Sequence, residues 1–137
     1  MALARKNWLT VAAACLVVTA CGGNPAEPRP GPLANGRWTG SGACLSVAET
    51  GCNLTVGCGH GQFPRPTIRD DGTFDVDGTY RIEIGPVSID PPPPAHFSGS
   101  LVGSVLTVTV VPSNGLPTVT YSLGPSSSNG SCGIACV

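Results

Sequence analysis

The string Gly57-Cys58-Gly59-His60-Gly61 sets a thiol and an imidazole two residues apart among glycines. Thiolate and imidazole are ligand types suited to zinc or copper. Cys52, or the terminal Cys132 and Cys136, would complete a coordination set with Cys58 and His60. The spacing matches none of the recurrent zinc patterns, however. The string therefore reads as a glycine-rich loop that carries a disulfide cysteine and an exposed histidine, a candidate functional loop with no metal assigned. His96, just after a proline run, reads as a surface-loop residue by the same reasoning. Asp70, Asp71, Asp75 and Asp77 supply oxygens of the kind calcium takes. Calcium needs six to eight of them, usually on a wrapped loop, and Asp70-Asp71-Gly72 is a turn signal first. No Gly-x-Ser-x-Gly elbow, phosphate loop or dinucleotide fingerprint is present. No catalytic residue or cofactor is assigned, and the chain is not expected to be an enzyme.

Near the N-terminus, Arg5 and Lys6 precede an uncharged run from Trp8 to Ala20. Its 13 residues are too few to span a bilayer and have the length of a signal-peptide apolar region. The run ends Val18-Thr19-Ala20-Cys21. A small residue followed at once by Cys resembles the lipobox of bacterial lipoproteins, with Val18 where Leu is usual. The resemblance implies that Cys21 receives a diacylglycerol and becomes the acylated first residue after cleavage. It also implies a lipid bilayer as partner, through acyl chains such as palmitate. The location would be the cell envelope, and the outer membrane if the host has one, since Gly22 stands where Asp would signal inner-membrane retention. The domain would then sit in the periplasm or outside the cell. Gly22 to Gly36 is rich in Gly and Pro and lacks large aromatics, so it reads as a tether. The chain divides into a signal peptide over 1–20, a tether over 21–36 and a folded domain over 37–137.

Cleavage leaves Cys44, Cys52, Cys58, Cys132 and Cys136 within the domain, an odd number. An oxidising envelope makes disulfides the default, with one thiol left over. Spacing does not choose the pairs. Were Cys52 to Cys58 one continuous strand, they would lie ~20 Å apart, too far to bridge. Glycines 57 and 59 could break that strand. Should the domain close into a barrel, Cys132 or Cys136 could reach Cys44 or Cys58.

From Arg37 onward the apolar period is two, the period of a strand with one buried face. Phe74, Val76, Tyr80, Ile82 and Ile84 share one face, and Asp75, Asp77, Thr79, Arg81 and Glu83 share the other. Turn signals fix the register. A three-residue turn at Asp70-Asp71-Gly72 pairs Arg69 with Thr73. A two-residue turn at Gly103-Ser104 sets Leu101 opposite Leu106 and Phe97 opposite Val110. A type I′ turn at Asn114-Gly115, with positive φ at both residues, sets Val108 opposite Tyr121 and Leu106 opposite Leu123. A hairpin around Glu49-Thr50-Gly51 joins Cys44–Ala48 to Cys52–Val56. A change of apolar parity after Ile84 suggests a bulge or sheet corner. Asp90 to Ala95 has few N–H donors and reads as a surface crossing. The expected fold is all-β: a small antiparallel up-and-down barrel of about eight strands, with a two-sheet sandwich as the alternative.

The chain has 137 residues, enough for one domain, with 19 Gly and 14 Pro. Without residues 1–20 it keeps five arginines against eight acids, a net charge of −3. That balance argues against nucleic acid as a partner. The expected function is a membrane-anchored, noncatalytic domain that binds an envelope protein or a small ligand. The alternatives are a small-molecule carrier using a barrel interior and a Cys/His metal protein.

Overall fold

The structure, a computed structural model, describes residues 29–83, 90–127 and 132. Two short strands, β1 (Gly31–Pro32) and β6 (Thr67–Ile68), pair with each other. The remaining eight are β2 (Gly36–Gly40), β3 (Ala43–Ala48), β4 (Gly51–Val56), β5 (Gly59–Phe63), β7 (Thr73–Ile82), β8 (Pro94–Val102), β9 (Val105–Pro112) and β10 (Val119–Ser126). They form a closed antiparallel barrel in which each strand pairs with the next and β10 returns to β2. Closure leaves the barrel sheet without free edges. The barrel, rather than the sandwich, is thus the architecture.

The period-two pattern explains the interior. Leu45, Leu54, Phe97, Leu106, Val108 and Leu123 point inward and are at most 1% exposed. The Phe63 and Phe97 rings stack inside at 4.3 Å. The six aromatics of the domain, Trp38, Phe63, Phe74, Tyr80, Phe97 and Tyr121, are all buried. The turn-derived register holds at every tested pair: Leu101 with Leu106, Phe97 with Val110, Val108 with Tyr121, and Leu106 with Leu123. At Asp70-Asp71-Gly72 the Arg69 N–H donates to the Thr73 carbonyl at 2.9 Å, and Gly72 takes φ +83°. Ile68 and Phe74 are both buried, as that turn requires. The hairpin between β3 and β4 is present, with Ala48 opposite Gly51 and two residues at its tip.

Four expectations are corrected. Only Gly115, not Asn114, has positive φ, so Asn114-Gly115 is not a type I′ turn. Pro112 and Pro117, on either side of the turn, lack N–H donors, and the β9–β10 ladder stops at Val110–Val119. Positive φ at both turn residues occurs instead at Ser41-Gly42, between β2 and β3. Second, Gly57-Cys58-Gly59-His60-Gly61 is not a loop. Gly57-Cys58 is a two-residue turn, and Gly59-His60-Gly61 belongs to β5. Third, His96 lies within β8, and the proline run feeds that strand. The Tyr80 N–H donates to the Pro93 carbonyl at 3.0 Å, so the prolines join the ladder as acceptors only. Fourth, residues 31–36, read from the sequence as tether, belong to the folded domain. Gly31 and Pro32 pair with β6, Leu33 is 1% exposed, and Gly36 opens β2. A partner strand distant in sequence supplies the burial that this segment lacks alone. The parity change after Ile84 lies outside the described residues.

The barrel has two unlike rims. The proximal rim carries the β3–β4 and β8–β9 turns, and the β1–β6 pair adjoins it. Leu33 and Ile68 join the core there, and the Arg65 Nε–H donates to the Leu33 carbonyl at 2.7 Å. The distal rim carries the β2–β3 and β4–β5 turns and the β9–β10 connection. Beneath it the Tyr80 and Tyr121 side chains, from β7 and β10, are close enough for each to influence the other's ionisation. Burial holds both phenols above their ordinary pKa. A Cβ on Gly59 would fall 2.2 Å from Tyr80 Oη, and one on Gly61 would fall 3.0 Å from the Phe97 ring. Those glycines serve close ring packing rather than a flexible loop.

Candidate functional site

Cys58, at the tip of the β4–β5 turn, is disulfide-bonded. Cys44 bonds Cys132, with Cα atoms 5.6 Å apart across a separation of 88 residues. Cys52 is the free, buried thiol among the described residues. Burial pushes it up to about 11, partly opposed by the Arg65 charge. The three elements of the sharpest metal reading therefore diverge. Cys58 is oxidised, Cys52 faces the barrel interior, and His60 faces outward. His60 Nε2 lies 3.5 Å from Glu83 Oε2, and Glu83 Oε1 lies 2.9 Å from Arg81 Nη2. Among the described residues no three His, Cys, Asp or Glu side chains gather where they could hold a metal. Cys21 and Cys136 lie outside the described residues.

The carboxylates also disperse. Asp71 accepts hydrogen bonds from the Thr73 hydroxyl at 2.6 Å and the Thr73 N–H at 3.0 Å. These bonds, the hydroxyl's first, hold its carboxyl below the ordinary range. The Arg69 guanidinium bonds Asp75 and lowers that carboxyl too. Both aspartates thus stabilise the turn and strand they sit on. Asp77, on the outer face of β7, instead meets His96 across the ladder at 2.7 Å, Oδ1 to Nδ1.

In the sequence Asp77 and His96 stand apart, one in a strand and the other just after a proline run that reads as a surface crossing. Their direct pairing makes them neighbours. They edge a recess of about 470 Å³ near the distal rim, floored by Gly78, Pro94, Ala95, Val111 and Pro112, with Ser113 at its end. The Ser113 hydroxyl donates to the Pro94 carbonyl at 2.7 Å, which fixes that wall. Val111 is 41% exposed and adds apolar surface. An apolar floor beside one His–Asp pair suits recognition: apolar groups bind and a polar pair orients. A second recess of about 500 Å³ lies between β4 and β5 and is lined by Cys52, Asn53, Gln62, Phe63, Pro64 and Thr79, among others.

Comparison of the chain with family models, with curated proteins and with solved structures gives no significant match. The class of protein is accordingly the one that its own fold defines: a small, disulfide-bonded, eight-stranded antiparallel barrel.

Proposed function

We propose that this chain is a bacterial envelope lipoprotein, held on a bilayer by acyl chains on Cys21, whose barrel is a noncatalytic binding module. The observation that carries the binding half is the filled interior. Phe97, Leu106 and Val108 are 0% exposed, and two phenylalanine rings stack at the centre. Eight strands enclose about enough space for their own side chains. A carrier that stores its ligand inside gains no support from such packing, whereas recognition through the outer surface does. The Asp77–His96 recess is the proposed docking place for an envelope protein or a small ligand. The anchoring half rests on the lipobox-like Val18–Cys21 string.

Two experiments test the two halves. Cys21→Ser should give a soluble protein or an uncleaved precursor on cell fractionation. A processed Cys21→Ser protein that still sediments with membranes would refute anchoring through Cys21. A photo-cross-linker at Val111 should capture a specific partner in cells, while one at Ser46, on the outer face of β3, should not. Equal capture at both positions would remove the recess from the proposal.

A further inference from the structure

We propose that the β8–β9 hairpin tip, Val102 to Val105, rests in the interfacial layer of the bilayer, so that the barrel stands with its proximal rim toward lipid. The proposal rests on the anchoring reading above and gives it an orientation.

Val102 is 65% exposed and Val105 49%, more than any other large apolar residue described. They face each other across Gly103-Ser104, so the tip is an uncharged knob with apolar sides. The N-terminal end of the folded domain lies on the same rim. Gly31 pairs with Ile68, one residue before the Arg69–Thr73 turn, and the Gly72 carbonyl of that turn accepts the Leu101 N–H at 2.8 Å. Gly31 follows Cys21 by ten positions along the chain, ten Cα-to-Cα steps. Fully extended they reach at most ~35 Å, and as a flexible coil they span roughly half of that. A nine-residue strand such as β8 is itself ~30 Å long. Strand tilt of about 35–45° shortens that to roughly 20–25 Å of barrel height, so presenting the distal rim to lipid would stretch the linker past its relaxed span. Presenting the proximal rim leaves it slack.

Two valines alone would hold a free protein on a bilayer only weakly. Anchoring changes that, because a tethered group meets the surface at a high effective concentration. Charge says which lipid is met. Asp70 and Asp71 occupy the adjoining turn and Glu49 caps the β3–β4 turn on the same rim, while Arg69 is engaged by Asp75 and Arg65 by the Leu33 carbonyl. Such a rim gains nothing from anionic headgroups, so the contact is apolar and insensitive to salt.

The test uses the full-length acylated protein reconstituted in phosphatidylcholine vesicles with brominated acyl chains, which quench nearby tryptophan. Val102→Trp and Val105→Trp report on the tip, and Asn114→Trp reports on the β9–β10 connection at the distal rim. The parent protein supplies the background from buried Trp38. Both tip reporters should be quenched at least about twofold more than Asn114→Trp, as expected for side chains at interfacial depth, and 1 M salt should not reverse it. Equal quenching at both rims, or quenching only at Asn114→Trp, would overturn the orientation. Intact mass of the same sample separates the two ideas. An unacylated Cys21 would overturn the anchoring reading together with this one. An acylated protein with unquenched tips would overturn the orientation alone.

Discussion

At the scale of single residues, the cysteines show what spacing conveys and what it does not. An odd count implied one thiol left over, but which one depended on direction. Cys52 points into the barrel from β4, while Cys44 points outward from β3. Iodoacetamide at pH 8 should therefore leave the native domain unmodified. After denaturation without reductant it should add one group, at Cys52. A modified Cys44 or Cys58 would contradict the pairing. The raised thiol pKa has a further consequence. An unfolded chain loses this proton near pH 9, whereas the folded one keeps it to about 11. The stability tied to this proton is present below pH 9 and is lost as pH climbs toward 11, at up to ~1.4 kcal/mol per pH unit. Tyr80 and Tyr121 add to the alkaline loss, since burial raises them as well. The comparison that isolates the thiol is Cys52→Ala against the parent in urea melts from pH 8 to 11, where the variant should show the shallower decline.

At the scale of elements, the β8–β9–β10 meander was legible because turn length and apolar face are coupled. A slip of one residue would have inverted every side chain. The β5 strand was not legible, because it begins inside the string 57–61, where three glycines in five positions normally mark a loop. Gly59 and Gly61 are required instead by the Tyr80 and Phe97 rings, which approach from strands that the local sequence does not reveal. The Asp77–His96 pair stayed hidden for a related reason: prolines obscured the start of β8. Three substitutions test the meander in one series of urea melts. Thr120 is exposed, and its hydroxyl meets only Thr109 at 2.8 Å, so Thr120→Ala should cost no more than ~0.5 kcal/mol. Its neighbour Tyr121 is 8% exposed and packs in the core, so Tyr121→Ala should cost ~3 kcal/mol or more. A Cβ on Gly99 would lie 1.8 Å from the Thr107 carbonyl oxygen, backbone that cannot swing aside. Gly99→Ala should therefore cost at least ~2 kcal/mol despite adding one methyl group. A Thr120→Ala loss equal to that of Tyr121→Ala would place the register off by one.

At the scale of the whole molecule, the barrel closes at its least supported seam. The β7–β8 and β8–β9 ladders run for seven and eight paired positions, but β10 meets β2 at only three. One of those three is Pro125, which has no N–H to give. Cys132 follows β10 by six residues and bonds Cys44. Cys44 pairs directly with Thr39 of β2, so the disulfide fastens the end of the chain beside the seam. No sequence argument could choose this bond before closure was known, because its residues lie 88 apart and become neighbours only when the barrel shuts. A bridge over so long a loop removes much unfolded-chain entropy, and losing it should cost ~2–5 kcal/mol. Cys44→Ala combined with Cys132→Ala measures this without leaving an unpaired thiol at either position. The position of the loss matters as much as its size. If the bond supports closure, amide exchange in the double variant should quicken most at Thr39 and Gly124, on the two sides of the seam. Thr107 and Thr109, inside the long β8–β9 ladder, should follow only the global loss. An even rise at all four amides would show that the disulfide stabilises the domain as a whole, and that the seam is no weaker than the rest of the wall.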